Sequence, residues 1–326
     1  MRNYNQDLEE VIDFFCQADS LLGVWNRFQS FIKDLQYQFQ PELDQVQKIM
    51  IQTIHPFPQV AGVIDEFIYS TNRQFLRPLL GFYSVVSRGP IPWTVIQWVA
   101  GMEMIHSASL CHDDVLDRQP IRRGLPSFWS QKGSSLSILV GDFLFAQALN
   151  LIAQIPIPSL VSLASNACCQ MVLGEISQIY LSFSSVDPFR SYQTIIAQKT
   201  GALLEATCQG AYDCFEKVNE KQPLAIDSQP VARRWGIFFQ MLDDWLDYIP
   251  SVERGKEPGR DFFDYKITIP ILEILQSSLI DQKEKEKLRI LFINRPPITQ
   301  KDYKWVCRLV DRICQSNRPS DLLKHS

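Results

Sequence analysis

Apolar residues along the chain recur at spacings of three and four, the period of a helix with one buried face. The pattern predicts helices over residues 4–37, 40–54, 75–88, 133–154, 159–183, 188–217, 229–249, 268–278, 281–292 and 299–316. A further helix runs from Pro92 to about Asp117, with the proline suited to a first turn. Its sequence, WTVIQWVAGMEMIHSASLCHDD, is apolar nearly all round, which places it in the middle of a bundle. Proline and glycine fall between these stretches, and alternating strand patterns are scarce. The fold class expected is all-α, a single large helical bundle with a central cavity.

One motif occurs twice at helix ends. Asp113-Asp114-Val115-Leu116-Asp117 is matched by Asp243-Asp244-Trp245-Leu246-Asp247. Positions i and i+4 share a helix face, so Asp113 is expected beside Asp117 and Asp243 beside Asp247. Like charges at that spacing repel unless a cation binds them. Carboxylates without companion His or Cys ligands point to a hard divalent ion, and Mg2+ bridges one or two carboxylates to phosphate oxygens. Arg122 and Arg123 follow the first array, and guanidinium suits bidentate phosphate binding. His112 adjoins the array and reads as a packing residue. The combination describes a metal-bridged diphosphate pocket.

Composition narrows the alternatives. Of 326 residues, 46% are hydrophobic and 21% charged, enough to bury a large core. Lys+Arg 32 against Asp+Glu 36 gives a net charge of −4, so no chain-wide basic excess exists to bind nucleic acid. With 14 Gly, a glycine-rich phosphate loop is unexpected. The 8 Cys form no CxxC pair and read as buried thiols of a reducing compartment. The start, MRNYNQDLEEVIDFF, carries acids where a secretory leader carries bases. Asp142 interrupts the longest apolar run, 136–153, so no transmembrane segment is expected and the protein reads as cytoplasmic.

The chain resembles the (E)-isoprenyl diphosphate synthase, or polyprenyl synthetase, family over roughly residues 70–275. EMIHSASLCHDDVLDRQPIRRG is similar to its first aspartate-rich region and arginine pair, and FQMLDDWLDY to its second. GDFLFAQAL, VLGEISQ, IIAQKTGALLEA and GKEPGRDFFDYKITIP resemble the segments around them. The resemblance implies a homodimeric helical bundle that condenses isopentenyl diphosphate with an allylic prenyl diphosphate. It implies Mg2+, three ions bound with the diphosphate, held by Asp113, Asp117, Asp243 and Asp247. The implied catalytic set adds Asp114, Asp244, Lys199 and Lys256, and Thr200, Gln240, Lys266 and Arg122 would bind substrate.

A second, metal-free site for isopentenyl diphosphate would by resemblance use Arg77, His106 and Arg123, plus a lysine of a GGKxxR pattern. Here that segment is Asn72-Arg73-Gln74-Phe75-Leu76-Arg77, so neutral Gln74 stands where the lysine is expected. Charge-assisted bonds to phosphate are about twice as strong as neutral ones, so Arg73 is a candidate substitute. Leu125 also replaces a usually polar residue. Ala108 and Ser109 lie one turn before Asp113, with Ile105 and Gly101 on the same expected face. Small residues there imply a product of twenty carbons or more.

One domain is expected over residues 1–326, with 1–70 as divergent N-terminal helices and 280–326 as a shortened C-terminal part. The N-terminal aromatics Phe14, Phe15, Trp25, Phe28 and Phe31 read as core packing. Two other assignments use the same residues. One is a family-related terpene cyclase that ionises a prenyl diphosphate alone; the other is a regulatory subunit of a heteromeric synthase.

Overall fold

A computed structural model describes residues 4–59, 61, 62, 64, 74–122, 124–183, 187–219, 229–249 and 258–323. Sixteen α-helices make up nearly all the regular structure of the described residues. Helices α1 (Tyr4–Cys16), α2 (Leu21–Gln38) and α3 (Gln40–Ile54) come first. The sequence pattern reads 4–37 as continuous, but the chain breaks after Cys16. Ser20 caps the second helix by accepting a hydrogen bond from the Gly23 amide at 3.1 Å.

Helices α4 (Leu76–Val86) and α5 (Trp93–Leu116) follow, then a two-residue hairpin in which Ile121–Arg122 pairs with Leu125–Pro126. The chain continues through α6 (Phe128–Lys132), α7 (Ser134–Ala153) and α8 (Ser159–Tyr180). The short α6 escapes the periodicity because one turn is too brief to show a face. Its signal is Ser127, which caps it through the Ser130 amide.

The expected helix over 188–217 is α9 (Pro188–Ile196) and α10 (Ala202–Asn219), joined by a π-helical turn at Ala197–Gly201. Such one-turn bulges occur frequently at functional sites, and this one carries Lys199 and Thr200. Then come α11 (Gln229–Leu246), α12 (Arg260–Phe263), α13 (Ile269–Gln276), α14 (Gln282–Asn294), α15 (Gln300–Ser316) and α16 (Pro319–Leu322). Residues 269–322 thus close the bundle with four helices, and Tyr303 of α15 donates from its hydroxyl to the Asp247 carbonyl at 2.8 Å.

Helix α5 is the central rod: fourteen of its residues are buried, including Trp98, Met102 and Met104. The Trp98 indole donates to the Thr207 carbonyl of α10 at 2.8 Å, so its polar end is satisfied inside the core. The N-terminal aromatics are core, as the sequence implies. Phe15 is fully buried among Phe28, Phe31, Trp235 and Phe238, with ring centroids 5.7–5.9 Å apart. Phe14 instead faces outward under the Arg27 guanidinium, 4.8 Å from the ring centroid.

Helix α7 is long and apolar enough to span a membrane. It lies along α5 in the closest helix pairing of the bundle, and an exposed Asp142 sits midway along it. One such helix, partly buried against its neighbours, is weak evidence, and a transmembrane segment is not supported.

Two glycines set how closely the π turn is gripped. A Cβ on Gly236 of α11 would stand 2.5 Å from the Gly201 Cα, and one on Gly174 of α8 would stand 2.9 Å from the Lys199 backbone nitrogen. Backbone cannot yield as a flexible side chain does, so both contacts require glycine. Gly236→Ala should therefore lower stability by about 1–3 kcal/mol, read as a decreased denaturant midpoint with unchanged slope; an unchanged midpoint would contradict this packing.

Candidate active site

The ends of α5, α8 and α11, the π turn and the segment after Gly259 surround one cavity of about 1190 Å³. Asp113 and Asp117 reach it from α5, Asp243 and Asp244 from α11, and Asp261 and Lys266 from the segment that follows. Lys199, Thr200, Gln240, Arg122, Arg77, His106 and Gln74 also line it. These sequence-derived candidates thus line one cavity, whereas Asp114, Asp247, Ala108 and Ile105 do not. Arg73, Arg123 and Lys256 lie outside the described residues.

The two aspartate arrays differ in use. In the first, Asp117 caps the end of α5 and faces the cavity with Asp113. In the second, α11 ends at the matching residue, Leu246, and the Asp247 amide still donates to the Asp243 carbonyl at 3.1 Å, yet the Asp247 side chain is not on the cavity wall beside Asp243. Asp247 is fully buried and absent from the cavity wall; its carboxylate accepts the Asp261 amide at 3.0 Å. Its carbonyl accepts from the Gly259 amide at 2.9 Å and from Tyr303. The expected metal ligand is therefore a buried brace that positions Asp261, a cavity carboxylate that motif spacing alone does not reveal.

Asp114 is corrected in the same way. It is fully buried outside the cavity wall and grips Arg122, whose Nε donates to its Oδ1 at 2.6 Å. It holds that guanidinium and is not among the residues that line the cavity. Asp244 does face the cavity, and its two oxygens accept from Gln240 Nε2 at 2.8 Å and the Tyr192 hydroxyl at 2.7 Å. Thr200 Oγ1 donates to Gln240 Oε1 at 2.8 Å, which ties the π turn to the second array.

The cations are held by carboxylates. Lys266 Nζ lies 2.9 Å from Asp117 and 3.8 Å from Asp261. Lys199 pairs with Glu175 of α8 and donates to Gln178 one turn on. Arg260 donates to the Asp117 carbonyl and lies 2.9 Å from Asp264. Glu175, Gln178, Tyr192 and Arg260 are site residues the motif reading passes over. A glutamate and a glutamine three apart within apolar VLGEISQ are the signal for the first two.

The tunnel residues divide. Ser109 lines the cavity, opposite Phe145 of α7 and Met171 of α8. Ala108 and Ile105 are fully buried off its wall. A Cβ on Gly101 would meet Ile152 Cγ1 at 2.6 Å, so the deeper part of this face is packed against α7. Their small or branched side chains serve close helix packing. His112 lines the cavity, its ring 5.9 Å from that of Phe145 and its Nε2 3.2 Å from the Ile138 carbonyl and 3.4 Å from Asp142.

Among the described residues, no three of these acids close on one point as a ready cage. That donor set suits Mg2+, which takes one or two carboxylates and leaves its other positions to water and phosphate. The electrostatics agree. Burial, and then Glu175, push the Asp113 carboxyl up to about 6, against opposing pulls from Lys199 and Arg122. Burial and Asp261 push Asp244 up to about 8. Crowded, desolvated carboxylates are a demand for positive charge.

Both groups hold their protons to higher pH in the fold than in the unfolded chain, so the native state binds more protons between their ordinary and raised values. Metal-free protein should accordingly lose thermal stability as pH rises from about 5 to 8. Mg2+ with inorganic diphosphate should flatten that slope. A melting temperature that rises across this range would contradict the assignment.

Comparison with known proteins gives the same architecture and family. Residues 75–309 match the family model described as Polyprenyl synthetase. The chain is 29% identical over 246 residues to an octaprenyl diphosphate synthase of Haemophilus influenzae, covering 75% of this chain and 74% of that one. It is 27% identical over 299 residues to heptaprenyl diphosphate synthase component 2 of Bacillus subtilis, covering 87% and 81%. Its fold is similar to that of a polyprenyl synthase from Caulobacter crescentus complexed with calcium and isoprenyl diphosphate. The TM-score is 0.76 at 24% identity, over 90% of each chain. The family model covers well over half of the chain, and the chain belongs to the polyprenyl synthetase family.

Proposed function

We propose that the protein condenses isopentenyl diphosphate with an allylic prenyl diphosphate to give a trans-polyprenyl diphosphate of twenty carbons or more. The observation that carries this reading is one cavity lined by these carboxylates and cations together with apolar side chains such as Phe145, Met171 and Val172. The names of its relatives, octaprenyl and heptaprenyl diphosphate synthases among them, support a long product.

Asp113, Asp117, Asp243 and Asp244 would hold the divalent ions, with Asp261 braced beside them by Asp247. Those ions, when bound, neutralise the leaving diphosphate. Lys199, Lys266 and Arg122 turn from their carboxylate partners to the phosphate oxygens, so charge that balances the empty site serves the loaded one. The allylic carbon–oxygen bond then breaks, and the double bond of isopentenyl diphosphate attacks the resulting cation. A proton leaves the adduct to the released diphosphate, with no side chain needed as base. Met171, Phe145 and Val172 keep water from the cation and receive the growing chain.

The protein is read as one helical domain working as a homodimer. Support for the second copy is an exposed apolar strip on α7 and α8 that includes Leu139, Leu173, Ile179 and Tyr180.

The test is incubation with Mg2+, labelled isopentenyl diphosphate and allylic diphosphates of increasing length, followed by sizing of the products. Failure to elongate any of them would overturn the proposal. Alcohol or hydrocarbon formed without isopentenyl diphosphate would indicate a cyclase, and activity only with a second subunit a heteromeric enzyme. Asp113→Asn or Asp243→Asn should reduce turnover at least 100-fold, on the order of a lost electrostatic stabiliser, with the circular dichroism spectrum unchanged.

The divided tunnel residues make a further test of the same reaction. Ser109→Phe should shorten the product, because its side chain faces the cavity. Ala108→Phe should chiefly destabilise the fold, by about 1–3 kcal/mol or more, because its site is filled. Equal shortening by both would show that the two share one wall.

A further inference from the structure

The part of the cavity around Arg77 is where Gln74 replaces the expected lysine. Its surroundings include a face of α2 that motif reading does not connect with chemistry. Gln29 Oε1 accepts from the Gln74 side-chain amide at 3.3 Å, and Gln36 Nε2 donates to the Gln74 carbonyl at 3.1 Å. Residues 29, 33 and 36 stand at i, i+4 and i+7, one stripe of a helix. Lys33 therefore lies between two side chains that both bond Gln74, and it lines the same cavity as Gln74, Arg77 and His106.

Two donors in this part are buried with no hydrogen-bond partner, Gln29 Nε2 and Arg77 Nε. A buried donor left unmade costs about 1–3 kcal/mol, so the pair marks a place where an acceptor belongs. Burial lowers the Arg77 pKa to about 10, while the nearby acids Glu103 and Asp113 favour its charge. Glu103 is itself 2% exposed, so it offsets much of the positive field that Arg77 offers a ligand. An anion bound here consequently needs a further cation. Lys33 is exposed where it lines the cavity.

We propose that Lys33 supplies the ammonium missing at Gln74, and that Gln29 and Lys33 of α2 form, with Arg77, the site for the diphosphate of isopentenyl diphosphate. The charge has moved from the start of α4 to a facing helix. Gln74 has become a bracket that fixes α2 through Gln29 and Gln36. This assignment rests on the chain-elongating function proposed above.

The experiment measures isopentenyl diphosphate binding calorimetrically without metal, and separately the steady-state constants. Lys33→Gln should raise the dissociation constant and KM for isopentenyl diphosphate about tenfold, as loss of a charged hydrogen bond would. KM for the allylic substrate and kcat should stay within about twofold. The double variant Lys33→Gln/Gln74→Lys should recover most of the loss, because it returns the charge to the facing position. Unchanged binding in Lys33→Gln, or no binding by the wild-type protein, would overturn the assignment. Binding that depends on Lys33 without any elongated product would leave this site standing and remove the elongation reading instead.

Discussion

The mutual repulsion of carboxylates lining one cavity is the constraint on which the rest of the site depends. Asp113, Asp117, Asp243, Asp244 and Asp261 are drawn together by helix ends whose other faces are core. Each has to be balanced without water. The chain does this with neutral donors, as Tyr192 and Gln240 do for Asp244, and with cations, as Lys266 does for Asp117, while burial raises the Asp113 carboxyl to about 6. The balance is provisional, because a metal-bound diphosphate can take over every one of these tasks. A site built this way favours its loaded state by making the empty one electrostatically crowded.

The packing follows from the need to hold that crowd still. Helix α5 is buried along most of its length, so Asp113 and Asp117 sit on a rod that cannot shift without disturbing the core. The π turn sits between glycines of α8 and α11, and the Thr200–Gln240–Asp244–Tyr192 chain carries its position to the second array. Rigid support of this kind matters for a reaction in which the protein supplies position and charge and makes no covalent bond to substrate.

Much of this is legible in the linear sequence, for definite reasons. Helix periodicity is strong because long segments each bury one face, so the bundle and most boundaries can be read directly. The repeated aspartate motif is legible because clustered acids inside apolar segments have no structural explanation. What periodicity misreads is the motif's geometry. Asp114 and Asp247 carry the same residue type as Asp113 and Asp243, yet they turn inward to hold Arg122 and the Asp261 amide. Both helices end at the same motif position, Leu116 and Leu246, so what separates Asp247 from Asp117 is its tertiary bonds, the Asp261 amide to its carboxylate and the Tyr303 hydroxyl to its carbonyl. Ala108 and Ser109 divide in the same manner, since neighbours on a helix point about 100° apart.

The amino-acid sequence by itself determined the helical class, the central rod, the family and the chemical type of the site, because each rests on local pattern or on residue chemistry. Tertiary structure decided the pairings between elements far apart in the chain: Lys199 with Glu175, Lys266 with Asp117, and α2 with the start of α4 through Gln29, Gln36 and Gln74. Sequence distance carries no information about such contacts when the segments meet only through packing. For that reason a lysine absent from its expected place can be judged only where the chain folds back and sets Lys33 on the cavity that Gln74 also lines.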